Sequence, residues 1–334
     1  MKKKLFVVDA SSVLSGCFYG NVPYAYQKAK TDEEYEAALP QVLHTSDGVY
    51  TNGMYSFCKV MKKIEEKFNP EYMVFCWDLN RNTFRRAMYP EYKAQRKPTR
   101  PELSTQFAQT QQLLKYIGVP SLAYEGFEAD DIIGSMAKKF GDELDIVILT
   151  KDQDQLQLIT DNVTVWLNSK VSDIASDIGL RQAEIPAHLD GYFPFTPEYF
   201  EKYYGYKPIQ IIDYKALSGD ASDNIPGIKG VGDKSAVALV QEFGSIEAVL
   251  DFVKTASPTD IEAKKKDMKT KGYARIPFKA LIEDANGENL GLLSKKLATI
   301  KTDVDIPELD ELKYAPNEAR RKKMYTRLEF KSLL

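Results

Sequence analysis

At 334 residues the chain is long enough for two domains. Hydrophobic residues make up 43% of it, yet no uninterrupted apolar run nears membrane-spanning length and the short run in MKKKLFVVDA ends in Asp9, so neither a transmembrane helix nor a signal peptide is expected and a cytoplasmic location is. Three cysteines without paired spacing (Cys17, Cys58, Cys76) and only His44 and His188 argue against a disulfide framework, a zinc knuckle or histidine-based catalysis.

The first element in chain order is the run KLFVV, closing on Asp9. YMVFCW follows, closing on Asp78, and DIVILT precedes Asp152 and Asp154. Continuous apolar runs separated by helical patterns read as fully buried parallel strands, and ligands of such sheets gather outside the strand carboxyl ends. Between them, Glu128, Asp130 and Asp131 open a helical pattern; Asp220 and Asp223 come later. Asp9 alone, or the Glu128 group alone, reads equally as helix capping. Repetition at several strand ends favours a shared role: nine clustered acids repel one another unless hard cations neutralise them, and oxygen donors select Mg²⁺ or Mn²⁺ over zinc. Two-metal phosphodiester hydrolysis is the chemistry this suggests.

Charge supports a polyanionic partner. Setting the nine candidate ligands aside leaves 39 acids against 45 Lys and Arg. Arg81, Arg85, Arg86, Lys93, Arg96, Lys97 and Arg100 crowd the stretch after Asp78, interleaved with Phe84, Tyr89 and Tyr92, which is a pattern for gripping single-stranded nucleic acid; its plainer reading is a solvated surface loop. Further on, Gly227, Gly230 and Gly232 allow a tight hairpin whose amides face a phosphate, with Lys229 and Lys234 beside it; Asp233 is expected to cap the helix that follows and Gly244 to stop it.

These residues carry a family resemblance. VVDASS, TNGMYSF, TFR with YPEYKAQR, FEADDIIG, LTKDQDQLQL, ALSGDASDNIPGIKGVGDKSA and LLSKKLATIKTDV appear in the order found in the 5′ nuclease (flap endonuclease) family, above all the 5′-to-3′ exonuclease domain of bacterial DNA polymerase I and its stand-alone bacterial and phage relatives. The chain resembles that family over most of its length. The resemblance implies an α/β fold: a PIN-like, mostly parallel sheet with flanking helices and a helical arch at about 79–104, plus a helical C-terminal domain with a helix-three-turn-helix motif. The expected boundaries are 1–190 for the nuclease domain, 191–306 for the DNA-binding domain and 307–334 for a charged tail whose Arg320, Arg321, Lys322 and Lys323 suggest an exposed helix.

It also implies roles. One divalent cation is expected at Asp9, Asp78, Glu128, Asp130 and Asp131, and a second at Asp152, Asp154, Asp220 and Asp223, with Asp131 near both. Lys93 and Arg96 match arch cations that steer the scissile phosphate, Arg85 a cation at the arch base, and Tyr92 a stacking partner. Arg86 and Lys97 join them as DNA contacts. A K⁺ site lined by Ser218, Ile228 and Val231 is implied at the hairpin. The implied substrate is DNA with a 5′ end or 5′ flap, RNA primers included, for a monomer that meets a DNA polymerase as a separate partner in replication, repair or primer removal. A PIN-type ribonuclease and a non-catalytic DNA-binding scaffold are the alternatives. Departures from the family pattern are Gly16, where many relatives carry Arg, and the long segments 20–48 and 170–194. Lys264, Lys265, Lys266, Lys269 and Lys271 read either as a duplex contact or as a solvated helix face.

Overall fold

The computed structural model describes residues 2–273 and 275–334. Six strands, β1 (Lys4–Asp9), β2 (Tyr72–Cys76), β3 (Ser121–Leu122), β4 (Asp145–Thr150), β5 (Val163–Asn168) and β6 (Tyr192–Phe195), form one sheet in the order β3-β2-β1-β4-β5-β6. All neighbours pair in parallel except β5 and β6. Helices α1 (Ala10–Tyr19), α2 (Tyr24–Lys28), α3 (Asp32–Ala38), α4 (Asn52–Phe68), α5 (Phe84–Met88), α6 (Pro101–Ile117), α7 (Ala129–Phe140) and α8 (Val171–Asp177) alternate with the strands. Seven more follow the sheet: α9 (Pro197–Tyr204), α10 (Ile211–Ser218), α11 (Asp233–Phe243), α12 (Ile246–Thr255), α13 (Pro258–Thr270), α14 (Phe278–Asn286) and α15 (Leu290–Ala298), with α16 (Glu318–Arg327) near the end.

The sheet is buried on both sides, which is why its central strands are apolar without alternation. Phe6, Val8, Phe75 and Leu149 pack with Val13, Leu14, Phe57, Met61 and Leu114 from α1, α4 and α6. Leu5, Val7, Val74 and Ile148 face the other way, onto Ile132, Ile133 and Met136 of α7, and this core runs on into the C-terminal helices through Leu217, Val249 and Phe278. Strand order reverses between β1 and β4, so a crevice opens beyond their carboxyl ends, where the first acids fall.

Three expectations need adjustment. β6 carries the sheet to Phe195, past residue 190. Of the segment between Asp78 and α6, only α5 is helical. The chain after residue 306 is no free charged tail: Tyr325, Leu328 and Phe330 join the core beneath α4, Arg321 pairs with Glu65 of α4, and Tyr314 N donates to Glu71 O at 2.8 Å. Lys322 and Lys323 are exposed on α16, as is Arg320, which donates to Tyr116 O at 3.2 Å. The segment 20–48 folds into α2 and α3 over a small core of Phe18, Val22, Tyr26, Ala38, Val42 and Leu103.

Candidate active site

Asp9 ends β1 and caps α1, accepting from Ser12 N at 3.0 Å, so capping and site placement coincide in one carboxylate. Its other oxygen accepts from Thr150 Oγ1 at 2.7 Å and Gln155 Nε2 at 3.1 Å; Gln155 also donates to Asp130 at 2.7 Å. Asp78 accepts from Ala129 N at 3.0 Å, tying the end of β2 to the start of α7. Asp9, Asp78, Glu128, Asp130 and Asp152 line one cleft of about 600 Å³, walled on its far side by Tyr92, Lys93 and Arg96. Asp152 also lines a second cleft of about 530 Å³ with Asp154 and Asp220.

Electrostatics separates these acids. Burial, then the charge of Asp78, pushes Asp9 from 3.8 up to about 7. Burial followed by Asp152 and Asp9 raises Asp130 well above the carboxylate range. Asp154 rises to about 6 through burial and Asp152. Burial also works to raise Asp220, but the Lys215 ammonium and the bonds from Ser222 outweigh it and hold Asp220 down to about 2. Lys215 bridges the second group: it pairs with Asp154 and lies 2.5 Å from Asp220.

The cationic segment folds over the acids. Lys93 Nζ stands 2.6 Å from Glu128 and 3.4 Å from Asp223, and Arg96 pairs with Asp223. Lys93 N donates to Asp223 O at 2.9 Å, and Gln95 donates to Ala221 O at 2.9 Å, which seats residues 91–96 on the Asp220–Asp223 loop. Lys93 itself adopts a left-handed φ of 54°. Among the described residues no three carboxylates converge tightly enough to enclose one ion as they stand; lysine and arginine supply the counter-charge.

The geometry of three expected site residues differs from their expected roles. Asp131 is fully buried and both its oxygens are engaged, by Arg85 at 2.7 and 2.9 Å, by Glu128 N at 3.0 Å and by Lys301 N at 2.9 Å. Arg85 is correspondingly buried, with two further protons on Leu297 O and Thr299 O, so it faces no solvent-borne phosphate. Tyr92 is buried against Ile225, Leu297 and Ala298 with its hydroxyl near Glu128 and Asp223, leaving no open face for a base. The reason is shared: the α15 region closes over the root of the cationic segment.

At the hairpin, Gly227 (φ 62°) needs its missing side chain, since a Cβ there would sit 2.2 Å from Gly219 N. Gly230 is left-handed and exposed, Lys229 and Lys234 are exposed, and Gly232 rather than Asp233 caps α11. Asp233 instead accepts from the Tyr214 hydroxyl at 2.9 Å. Ser218 donates to Tyr214 O at 3.0 Å, while Ile228 and Val231 are buried and joined by a bond from Val231 N to Ile228 O at 2.9 Å. Arg86 is partly buried and Lys97 exposed. Sequence reading missed Thr150, Gln155 and Lys215; Thr150 and Gln155 lie inside the LTKDQDQLQL motif and Lys215 directly precedes ALSGDASDNIPGIKGVGDKSA, which is the signal that was there to use.

An oxygen-lined acidic crevice at the switch point of a doubly wound sheet, faced by cations and flanked by a glycine hairpin, defines a site for hard cations and phosphate. Residues 4–183 match the family described as 5'-3' exonuclease, N-terminal resolvase-like domain, and residues 206–320 match its C-terminal SAM fold. A 5'-3' exonuclease of Aquifex aeolicus is 31% identical over 335 residues, covering 99% of this chain and 94% of that protein. DNA polymerase I of Bacillus caldotenax is 34% identical over 338 residues, covering 100% of this chain, which spans only 32% of that polymerase. A solved structure of T5 5'-exonuclease with divalent zinc ions shares the fold at a TM-score of 0.60 and 18% identity, covering 97% of this chain and 99% of that one. The chain belongs to the 5′-3′ exonuclease family, a family of divalent-metal-dependent nucleases.

Proposed function

We propose that this chain hydrolyses DNA phosphodiesters at 5′ ends and 5′ flaps with two Mg²⁺ or Mn²⁺ ions. The carrying observation is the cleft that brings Asp9, Asp78, Glu128, Asp130 and Asp152 opposite Lys93 and Arg96. These residues fit hard cations: all side-chain donors are oxygens, burial and mutual repulsion raise Asp9 and Asp130, and the Gln155 carbonyl oxygen is buried beside them without a partner. Asp9, Asp78, Glu128 and Asp130 would hold one ion and Asp152, Asp154, Asp220 and Asp223 the other. Such ions activate water for in-line attack and stabilise the leaving oxygen. Asp131 acts as a positioning residue, holding Arg85 and the Glu128 amide.

Lys93 and Arg96 exchange their carboxylate partners for the scissile phosphate, and in doing so free Glu128 and Asp223. Arg86 and Lys97 bind the flap backbone. Lys229, Lys234 and the amides of Gly230 and Gly232 hold duplex phosphates without reading bases. A K⁺ ion near the hairpin carbonyls of Ser218, Ile228 and Val231, tolerance of RNA primers, and action as a monomer beside a DNA polymerase belong to the same reading. Among the described residues no helix is long and apolar enough to cross a membrane.

Cleavage of end-labelled 5′-flap duplexes, in DNA and RNA versions, with Mg²⁺, Mn²⁺ or EDTA tests this. Metal-dependent cuts near the DNA junction are expected, with Lys93→Ala reducing turnover by about 10²-fold or more. Preference for the RNA flap would favour a PIN-type ribonuclease; tight, salt-sensitive binding without cleavage would favour a scaffold.

A further inference from the structure

Gly16 lies mid-way along α1, where glycine costs about 1 kcal/mol relative to alanine. What occupies the space of its absent side chain is Lys151: a Cβ on Gly16 would fall 2.4 Å from Lys151 Cδ and 3.2 Å from Nζ. The lysine backbone is anchored on the same helix, its amide donating to Ser12 Oγ at 3.0 Å. The side chain is exposed and lines the second cleft with Asp152, Asp154, Lys215 and Asp220. Lys93, Arg96 and Lys215, the other cations facing these acids, are all paired with carboxylates. Among the described residues Lys151 pairs with none.

An unpaired ammonium at the rim of an acid pool lowers the repulsion that an approaching phosphate meets, and it does so from a cleft whose described lining includes Lys151 and Lys215 but no Lys or Arg of the cationic segment. We propose that Lys151 binds a DNA backbone phosphate at the mouth of the second cleft, and that Gly16 is the residue that seats it there. This rests on the nuclease reading above. It gives the glycine at position 16 a purpose: the space left by its missing side chain is filled by a lysine that follows β4.

The test is a mutant cycle on a 5′-flap DNA duplex. Fluorescence anisotropy in EDTA across a salt series gives Kd and its salt slope, and initial rates with Mg²⁺ give kcat and KM. Lys151→Ala is expected to weaken binding about 10-fold, lower the salt slope by about 1, and raise KM more than it lowers kcat. Lys151→Arg should bind like the parent. Gly16→Ala, which keeps the helix, should weaken binding in the same way, and the double variant should be no weaker than Lys151→Ala alone. Parental affinity and salt slope in Lys151→Ala would overturn the proposal, as would independent, additive losses from the two substitutions. Should the parent fail to cut the flap with Mg²⁺, the nuclease reading falls, while the EDTA salt slopes still decide whether Lys151 contacts phosphate.

Discussion

Asp131 and Arg85 form a doubly hydrogen-bonded pair with 0% and 2% of their surfaces exposed, at the point where α7, α5 and the chain after α15 meet. Removing one partner of such a pair leaves a buried uncompensated charge, which costs more than the pair itself contributes. Asp131→Asn is therefore expected to destabilise the fold by about 3 kcal/mol in denaturant titrations. Asp154→Asn, in a partly open cleft, should cost far less. Equal stability of the two variants would mean that Asp131 is not the structural residue its four hydrogen bonds describe.

Helices α2 and α3 have a mechanical consequence at the scale of elements. They pack on the start of α6, where the cationic segment ends. Tyr26 donates to buried Glu102; Arg100 reaches Glu102 at 3.2 Å and Asp32 at 3.3 Å and lies 3.7 Å above the Tyr35 ring. This network braces the far root of the segment, while Arg85 and Asp131 hold the near one. Tyr26→Phe takes a donor from a buried carboxylate and is expected to cost about 1 to 3 kcal/mol. Hydrogen exchange should show faster opening of amides around 100–106 with the central strands unaffected. Uniform loss of protection across β1 and β4 would instead make α2 and α3 part of the global core.

For the whole molecule, stability follows the acid pool. Asp9 and Asp154 have folded values of about 7 and about 6, above the ordinary 3.8. Between those values the folded chain binds more protons than the unfolded one, so stability falls as pH rises through that window. Asp220, held at about 2, works the other way: its contribution is present above the ordinary carboxylate range and lost only as pH falls towards about 2. In EDTA the melting temperature is expected to drop between pH 5 and pH 8, and added Mg²⁺ to restore most of the loss at the upper end by binding the ionised acids. A melting temperature that climbs over that range without metal would contradict the burial of Asp9.

Much of this was legible in the residues themselves. KLFVV, YMVFCW and DIVILT became the central strands because unbroken apolar runs suit a sheet covered on both faces, and acids just beyond them necessarily reach the switch-point crevice. β6 was not legible: it is a four-residue edge strand holding Pro194, and proline is tolerated there because one side lacks a partner. The docking of α16 was hidden too, since its charged run masks the few apolar residues, Tyr325, Leu328 and Phe330, that the core takes up. Composition and order along the chain thus determined the family, the sheet and the acids, for these depend on local pattern and on position relative to strand ends. Which cations stand free and which are spent, Arg85 against Asp131, Lys215 between Asp154 and Asp220, Lys151 across Gly16, was decided only by tertiary structure, because pairing is a matter of distances between residues far apart in the chain.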